Sequence, residues 1–315
     1  MNEIGGYFEL ELRKAKEYHC DALALNTGRN ALELILFSKK LTKVYIPYFT
    51  CDAILEPFEK LKIDFEFYHI NIDFEPVFNF NKVQSNEGFL YTNYFGIKDK
   101  FIQKLAISCP NLIVDSSQSF FSKSIPTVST FYSCRKFFGV PDGAYLYLDG
   151  VLEVDFPLDD STNRFRHLLN RIEFGAEAGY NDFKENENVL FGQPILQMSK
   201  LTKALLCNID YEFVQQKRKE NFQTLHKELS IHNELKFDID NEIVPMVYPF
   251  WNKKFGLKQK LIDNKVFIAT YWPNVIDWCN ENDLESLLTN EVLHLPVDQR
   301  YNEEDMRFII KQTIS

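Results

Sequence analysis

The sequence predicts an α/β fold: a mostly parallel central sheet with helices on both faces, plus a smaller C-terminal α+β domain. Two observations carry that prediction. Across the first half, short β-branched and aromatic runs alternate with helical periodicity, the pattern of successive strand–helix units. Beyond about residue 149 the alternation stops, and a charged, irregular stretch leads into a long amphipathic pattern and a few scattered strands. A large domain is therefore expected at residues 1–195, of which 151–195 form an irregular excursion. A linking helix and the small domain are expected at 196–315.

The elements follow in order. Residues 28–40 carry apolar side chains at Ala31, Leu32, Leu34, Ile35 and Leu36, the stripe of a helix opened by Asn26-Thr27-Gly28. Residues 44–47 read as a strand stopped by Pro47, and 52–61 as a helix with Asp52 as its N-cap. Strands are expected at 65–70 and 88–92, a helix at 98–106, and at 112–115 a strand whose apolar run ends in the Asp115 carboxylate. Strands at 128–132 and 144–148 complete the sheet. Helical crossovers between strands return the chain in the same direction, which is why the sheet should be mostly parallel. Further on, Leu201, Ala204, Leu205, Ile209, Phe213 and Val214 keep a spacing near 3.6, resumed at Phe222, Leu225 and Leu229, as in one long helix. Within it, residues 217–220 read as a solvated face. Strands near 243–250 and 266–269 and a helix from Glu303 finish the chain.

Composition excludes several functions. With 35 Lys and Arg against 45 Asp and Glu, the net charge of −10 should repel a nucleic-acid backbone. No apolar run approaches the ~20 residues a membrane span needs. The acidic start lacks the basic region of a signal peptide, so a cytoplasmic location is expected. The six cysteines form no C-x-x-C pair and the six histidines never pair at i, i+4, which points to reduced thiols and no zinc site. The 29 Phe and 15 Tyr promise bulky cores or a sizeable buried interface.

Ligands of open parallel sheets bind at the carboxyl ends of strands, and three places of that kind carry chemistry. At Asn26-Thr27-Gly28-Arg29-Asn30, free N–H groups at a helix start favour an anion such as phosphate. At Asp115-Ser116-Ser117-Gln118 a carboxylate ends a strand, with an amide three residues on. Taken singly, both also read as plain helix caps. The third place runs from Ser133 to Ala144, where Lys136 stands between a strand and a Gly/Pro-rich turn. Its aromatic neighbours and Arg135 would favour the neutral amine that attacks a carbonyl. Alone, it also reads as a surface lysine in a basic turn.

In this order the three resemble the DegT/DnrJ/StrS-type sugar aminotransferases, pyridoxal 5'-phosphate (PLP) enzymes of fold type I. Thr27-Gly28-Arg29-Asn30-Ala31-Leu32 resembles the family's Ser-Gly-Thr-x-Ala-Leu segment, and Tyr45 to Thr50 with Asp52-Ala53-Ile54 resembles its strand-Pro-x-x-Thr-helix segment. Asn93-Tyr94-Phe95-Gly96 matches the next turn, Asp115 to Gln118 the Glu-Asp-x-x-Gln motif, and Lys136 to Gly143 the lysine with its glycine seven residues later. Leu295-Pro296-Val297 and Asn302-Glu303-Glu304-Asp305 resemble the closing segment, so the resemblance spans most of the chain.

The resemblance implies roles. Lys136 would carry the cofactor and shuttle the substrate proton, and Asp115 would keep the pyridine nitrogen protonated. Gln118 would contact the ring's 3-oxygen, and Gly28, Arg29 and Ser133 would hold the phosphate, with Arg135 as a possible helper. Cys51 stands where many relatives place a ring-stacking aromatic, which leaves Phe49 as a substitute. Gly179-Tyr180-Asn181 echoes a segment through which Asn181 would reach the partner subunit's phosphate. A homodimer is implied, as is amino transfer from a donor such as glutamate to a nucleotide-linked keto sugar for polysaccharide or glycan synthesis. The family's keto-sugar dehydratases carry histidine at the lysine position, so Lys136 argues against that branch. Another PLP reaction on a non-sugar carbonyl, or a non-catalytic binding module on the same fold, is the alternative. Outside these segments, His69 is expected to be structural, and Tyr271-Trp272-Pro273 either lines a substrate cleft or packs in a core.

Overall fold

The structure, a computed structural model, describes residues 4–150, 154–237, 242–254 and 256–314. Eight strands form the central sheet: β1 (Leu23–Leu25), β2 (Lys43–Pro47), β3 (Asp64–Ile70), β4 (Pro76–Val77), β5 (Glu87–Thr92), β6 (Leu112–Asp115), β7 (Ser129–Ser133) and β8 (Ala144–Tyr147). Their order is β1-β8-β7-β6-β5-β2-β3-β4. The run β7-β6-β5-β2-β3 is parallel, whereas β8 opposes β7, β1 opposes β8 and β4 opposes β3. The expected α/β architecture is therefore present. The edge strands β1 and β4 are too short for an alternation pattern to reveal.

Alternate residues of the central strands feed two cores, as a period of two requires. Leu90, Ile113 and Phe131 face one side, where they meet Leu32, Ile35 and Leu36 of α1 (Gly28–Lys39) and Phe58 of α2 (Glu56–Leu61). Phe89, Tyr91, Leu112, Val114 and Tyr132 face the other, against Ile102 and Leu105 of α3 (Asp99–Ser108). This second core holds many of the aromatic rings, which accounts for much of the Phe and Tyr content by packing.

Several expectations need correction. Residues 52–61 are a 3₁₀ turn at Asp52–Ile54 followed by α2, with Pro57 in its first turn, where a missing N–H does no harm. Asp52 caps nothing, because Cys51 holds the cap position without a side-chain bond. The excursion is not irregular: it contains α4 (Arg166–Phe174) and α5 (Tyr180–Leu190). The long helix is two, α6 (Lys200–Cys207) and α7 (Tyr211–Leu229), divided where the Asp210 carboxylate accepts the Phe213 N–H at 3.1 Å and starts a new helix.

After α7 come β9 (Val247–Trp251), α8 (Leu257–Asp263), α9 (Val275–Trp278), α10 (Leu284–Glu291), β10 (Val292–Pro296) and α11 (Glu303–Ile314). No strand forms at 266–269; Val266 and Ile268 are buried as coil. The partner of β9 is the unforeseen β10, antiparallel to it. Phe222 and Leu225 of α7, Tyr248 and Phe250, Leu293 and Leu295, and Met306 and Ile309 of α11 form a third core. No helix among the described residues is long and apolar enough to cross a membrane, and all six cysteines are free.

Candidate active site

Since β1 opposes β8, which opposes β7, strands β1, β2, β5, β6 and β7 all end at the same rim of the sheet. A cavity of about 170 Å³ lies there. Of the eight residues expected at the site, Gly28, Arg29, Cys51, Asp115, Ser133 and Lys136 line it. Register makes this possible: β6 and β7 are adjacent, so the carboxylate ending one and the turn after the other face a common opening.

At one wall stands the N-terminus of α1. Thr27 caps the helix, its hydroxyl accepting the Asn30 N–H at 3.1 Å. The amides of Gly28 and Arg29, in the first helical turn, have no intrahelical carbonyl to bond, and with the helix dipole they form an anion-binding end. A Cβ built on Gly28 would meet the Phe131 ring at an ordinary 3.6 Å, so the close neighbour here is the aromatic floor of the cavity. The loop is anchored from behind. The Gly143 N–H donates to the Asn26 carbonyl at 2.6 Å, and Asn26 and Asn30 amides both donate to the Pro194 carbonyl. The Arg29 guanidinium points away from the cavity's anion end, to Glu56 at 3.3 Å and the Leu190 carbonyl at 2.8 Å. Only the backbone of Arg29 is left for an anion.

Asp115 is 9% exposed and accepts the Ser117 N–H at 2.8 Å. Burial raises its carboxyl above the ordinary carboxylate range, while Lys136 and Ser117 oppose that shift. The Ser117 hydroxyl accepts from Lys136 Nζ at 3.4 Å, so one serine touches both expected catalytic groups. Sequence reasoning passed over Ser117 although it sits inside the quoted motif. Cys51 is a half-buried thiol pushed up by burial, with Lys136 pulling it the other way.

Other expectations fail. Lys136 is exposed at the cavity mouth, because Phe137 and Phe138 turn into the core instead of covering it. Gln118 does not line the cavity: its Oε1 accepts the Phe95 N–H at 2.9 Å, serving a residue held at φ 56° in the 94–96 turn. Asn181 is exposed on α5 and outside the cavity; Glu187, six residues on, lines it and pairs with Arg135. Nothing in the sequence distinguishes Glu187 from its acidic neighbours. Phe49 is fully buried against Tyr94 and Trp272 and supplies no wall. His69 pairs with the buried Glu285 at 3.2 Å, in keeping with a structural role. Tyr271 stacks on His294 with ring centroids 3.8 Å apart, which is packing.

No protein-family model matches the chain, and no curated protein matches it in sequence. Solved structures do match in fold. A DegT DnrJ EryC1 StrS aminotransferase from Brucella abortus superposes with a TM-score of 0.63 at 14% identity, over 93% of this chain and 84% of that one. DesV from S. venezuelae, in complex with a ketimine intermediate, gives 0.65 at 14% identity, over 92% and 83%. The E. coli GDP-4-keto-6-deoxy-D-mannose-3-dehydratase with bound hydrated PLP gives 0.60 at 13% identity, over 93% and 87%. The chain thus has the fold of these proteins over nearly its whole length.

Proposed function

We propose that the protein is a PLP-dependent aminotransferase that moves an amino group from an amino acid, glutamate in the simplest case, to a nucleotide-linked keto sugar for polysaccharide or glycan synthesis. One observation carries this reading: the Lys136 amine and the buried Asp115 carboxylate share one cavity beneath the free amides of a helix N-terminus. Those are the three groups that PLP presents a need for: an aldehyde, a pyridine nitrogen and a phosphate. Their fit is chemical as well as spatial, since a buried carboxylate disfavoured as an isolated anion gains most from a cationic ring nitrogen. The aminotransferases of the same fold support the assignment.

Bound PLP would supply the electron sink that stabilises a carbanion next to nitrogen. The chain's residues do the rest. The Gly28 and Arg29 amides with Ser133 would hold the phosphate end, Asp115 would keep the ring nitrogen protonated, and Ser117 would keep the Lys136 amine near that ring. Lys136 Nζ would carry a proton to and from the substrate carbon. The fold is also that of a keto-sugar dehydratase; by the family resemblance Lys136 favours amino transfer over that reaction.

We place the enzyme in the cytosol as a homodimer. Support for self-association comes from the excursion, where Phe174 is 74% and Phe191 64% exposed. Added PLP should give a visible absorbance band that borohydride traps on Lys136, and light scattering should report twice the chain mass. A chain that takes up no PLP overturns the reading.

A further inference from the structure

Lys136 stands where the smaller cavity meets a larger one of about 620 Å³. Thr50, Cys51, Ala53 and Ile54 line the smaller of the two and not the larger. The chain leaves β2 at Pro47 and enters the 3₁₀ turn only at Asp52, so the start of this wall lies between elements. Its buried carbonyls need partners from elsewhere. Side chains supply them: the Tyr94 hydroxyl donates to the Phe49 carbonyl at 3.0 Å, and Asn274 Nδ2 donates to the Thr50 carbonyl at 2.9 Å.

The second of these bonds joins residues 224 positions apart. Asn274 is the N-cap of α9, where an asparagine side chain ordinarily accepts an N–H of the first turn. Here it makes no capping bond, and its amide turns to Thr50 instead. Trp272 aims it. That residue sits at φ 56°, in the left-handed region that a bulky side chain rarely enters. Its buried indole is held near-perpendicular to Phe49, centroids 4.7 Å apart, and 6.0 Å from Tyr94. Phe49 and Tyr94 thus fix the Tyr271-Trp272-Pro273 turn, and the turn presents Asn274 to the residue that follows Phe49.

Resting on the reading that the smaller cavity holds PLP, we propose that Asn274 is a positioning residue of the cofactor site, fixing the wall that Thr50 and Cys51 give to that cavity. Thr50 is 2% exposed, so without this donor its carbonyl is left unpaired away from water, and the wall must move to find another partner. The bond also explains the residue type. A carbonyl requires a donor, and of the two good N-caps of this size asparagine has one, whereas the aspartate carboxylate has none.

Two variants separate this role from a merely structural one. Asn274→Asp keeps the ability to cap α9 and loses the donor; Asn274→Gln keeps the donor and caps poorly. Titration with PLP, followed by absorbance, should show affinity about tenfold weaker for Asn274→Asp, through loss of one bond to a buried carbonyl, and within about threefold of wild type for Asn274→Gln. The unloaded Asn274→Asp protein should nevertheless melt no lower than Asn274→Gln. Alkylation of Cys51 in the unloaded chains, read by mass spectrometry of its peptide, should be faster in Asn274→Asp than in wild type. Wild-type PLP affinity in Asn274→Asp, or affinities that follow melting temperature across the variants, overturns the proposal. If wild type takes up no PLP, the functional reading fails. The Cys51 rates then still decide whether Asn274 holds the wall: equal rates overturn that, and a faster rate in Asn274→Asp sustains it.

Discussion

The two cavities that meet at Lys136 are built on different principles. The smaller one is made of strand ends and helix starts, so its polar groups are largely backbone amides, a strand-terminal carboxylate and a lysine in a tight turn. The larger one is made of long side chains from α4, α7 and the turn before α11, segments far apart in the chain. The polar groups of the smaller cavity are held by backbone and short side chains, whereas those of the larger one end long side chains on separate elements. The difference also separates what a point mutation should do in each.

The largest effect is expected at the shared residue. Lys136→Ala removes the amine from both cavities, so amino transfer should fall by about 10²–10⁴-fold and the borohydride-trapped product should vanish. Retention of activity would break the comparison outright, because the smaller cavity would then be no catalytic site.

Asp115→Asn comes next and reads the smaller cavity alone. Activity should drop by about 10²–10³-fold, as for loss of a fixed electrostatic partner. Stability should move the opposite way. A carboxyl raised by burial opposes folding once ionised: the penalty is absent below the ordinary value of 3.8 and grows as pH rises through the folded value. Without PLP, Asp115→Asn should therefore melt higher than wild type at pH 7, with the two converging in acid. PLP should then raise the melting temperature of wild type more than that of the variant. A variant that melts lower at pH 7 would mean that the carboxylate is structural.

The contrast between the cavities also explains what the sequence made legible. Asp115 ended and Lys136 followed short strand-like runs, and Gly28 followed a threonine suited to capping, so position on the rim was readable locally. Gln118 sat in the right motif but was drawn to the Phe95 amide, a contact across 23 residues that local pattern cannot show. Residues 217–220 read as a solvated face, yet Arg218 is 2% exposed, because the loops that cover it come from beyond residue 240. The helices α4 and α5 were missed for want of a wide apolar stripe: among their residues only His167, Asn186 and Leu190 are buried. Charged residues that face a cavity carry no periodic signature, and the second chamber stayed hidden for that reason.

Support behind the rim gives a smaller, purely structural effect. Asp142 is fully buried and accepts the Ser199 N–H at 2.9 Å, the Ser199 hydroxyl at 2.8 Å and the Thr202 hydroxyl, which ties the Lys136 turn to the start of α6. Asp142→Ala strands those donors and should lower stability by about 3 kcal/mol, measured as the urea midpoint. The neighbouring Gly143, at φ +113°, permits this turn; a Cβ there would meet Thr202 Cγ2 at 3.0 Å. Loss of PLP affinity in Asp142→Ala without loss of stability would place Asp142 in the site itself.

The smallest effect is expected at Cys51, where the smaller cavity departs furthest from the family resemblance. With its thiol pushed up by burial, Cys51 stays protonated at neutral pH and is a poor nucleophile. Its neighbour on the cavity floor, Phe131, already offers an aromatic surface. Cys51→Ala should then change PLP affinity by no more than about threefold, within the range of a modest packing change. Bound PLP should also slow labelling of Cys51 by a thiol reagent, since both occupy the same 170 Å³. Labelling at an unchanged rate would put the ring elsewhere along the rim, whereas a tenfold loss of affinity in Cys51→Ala would make the sulfur, not the phenyl ring, the face on which the cofactor rests.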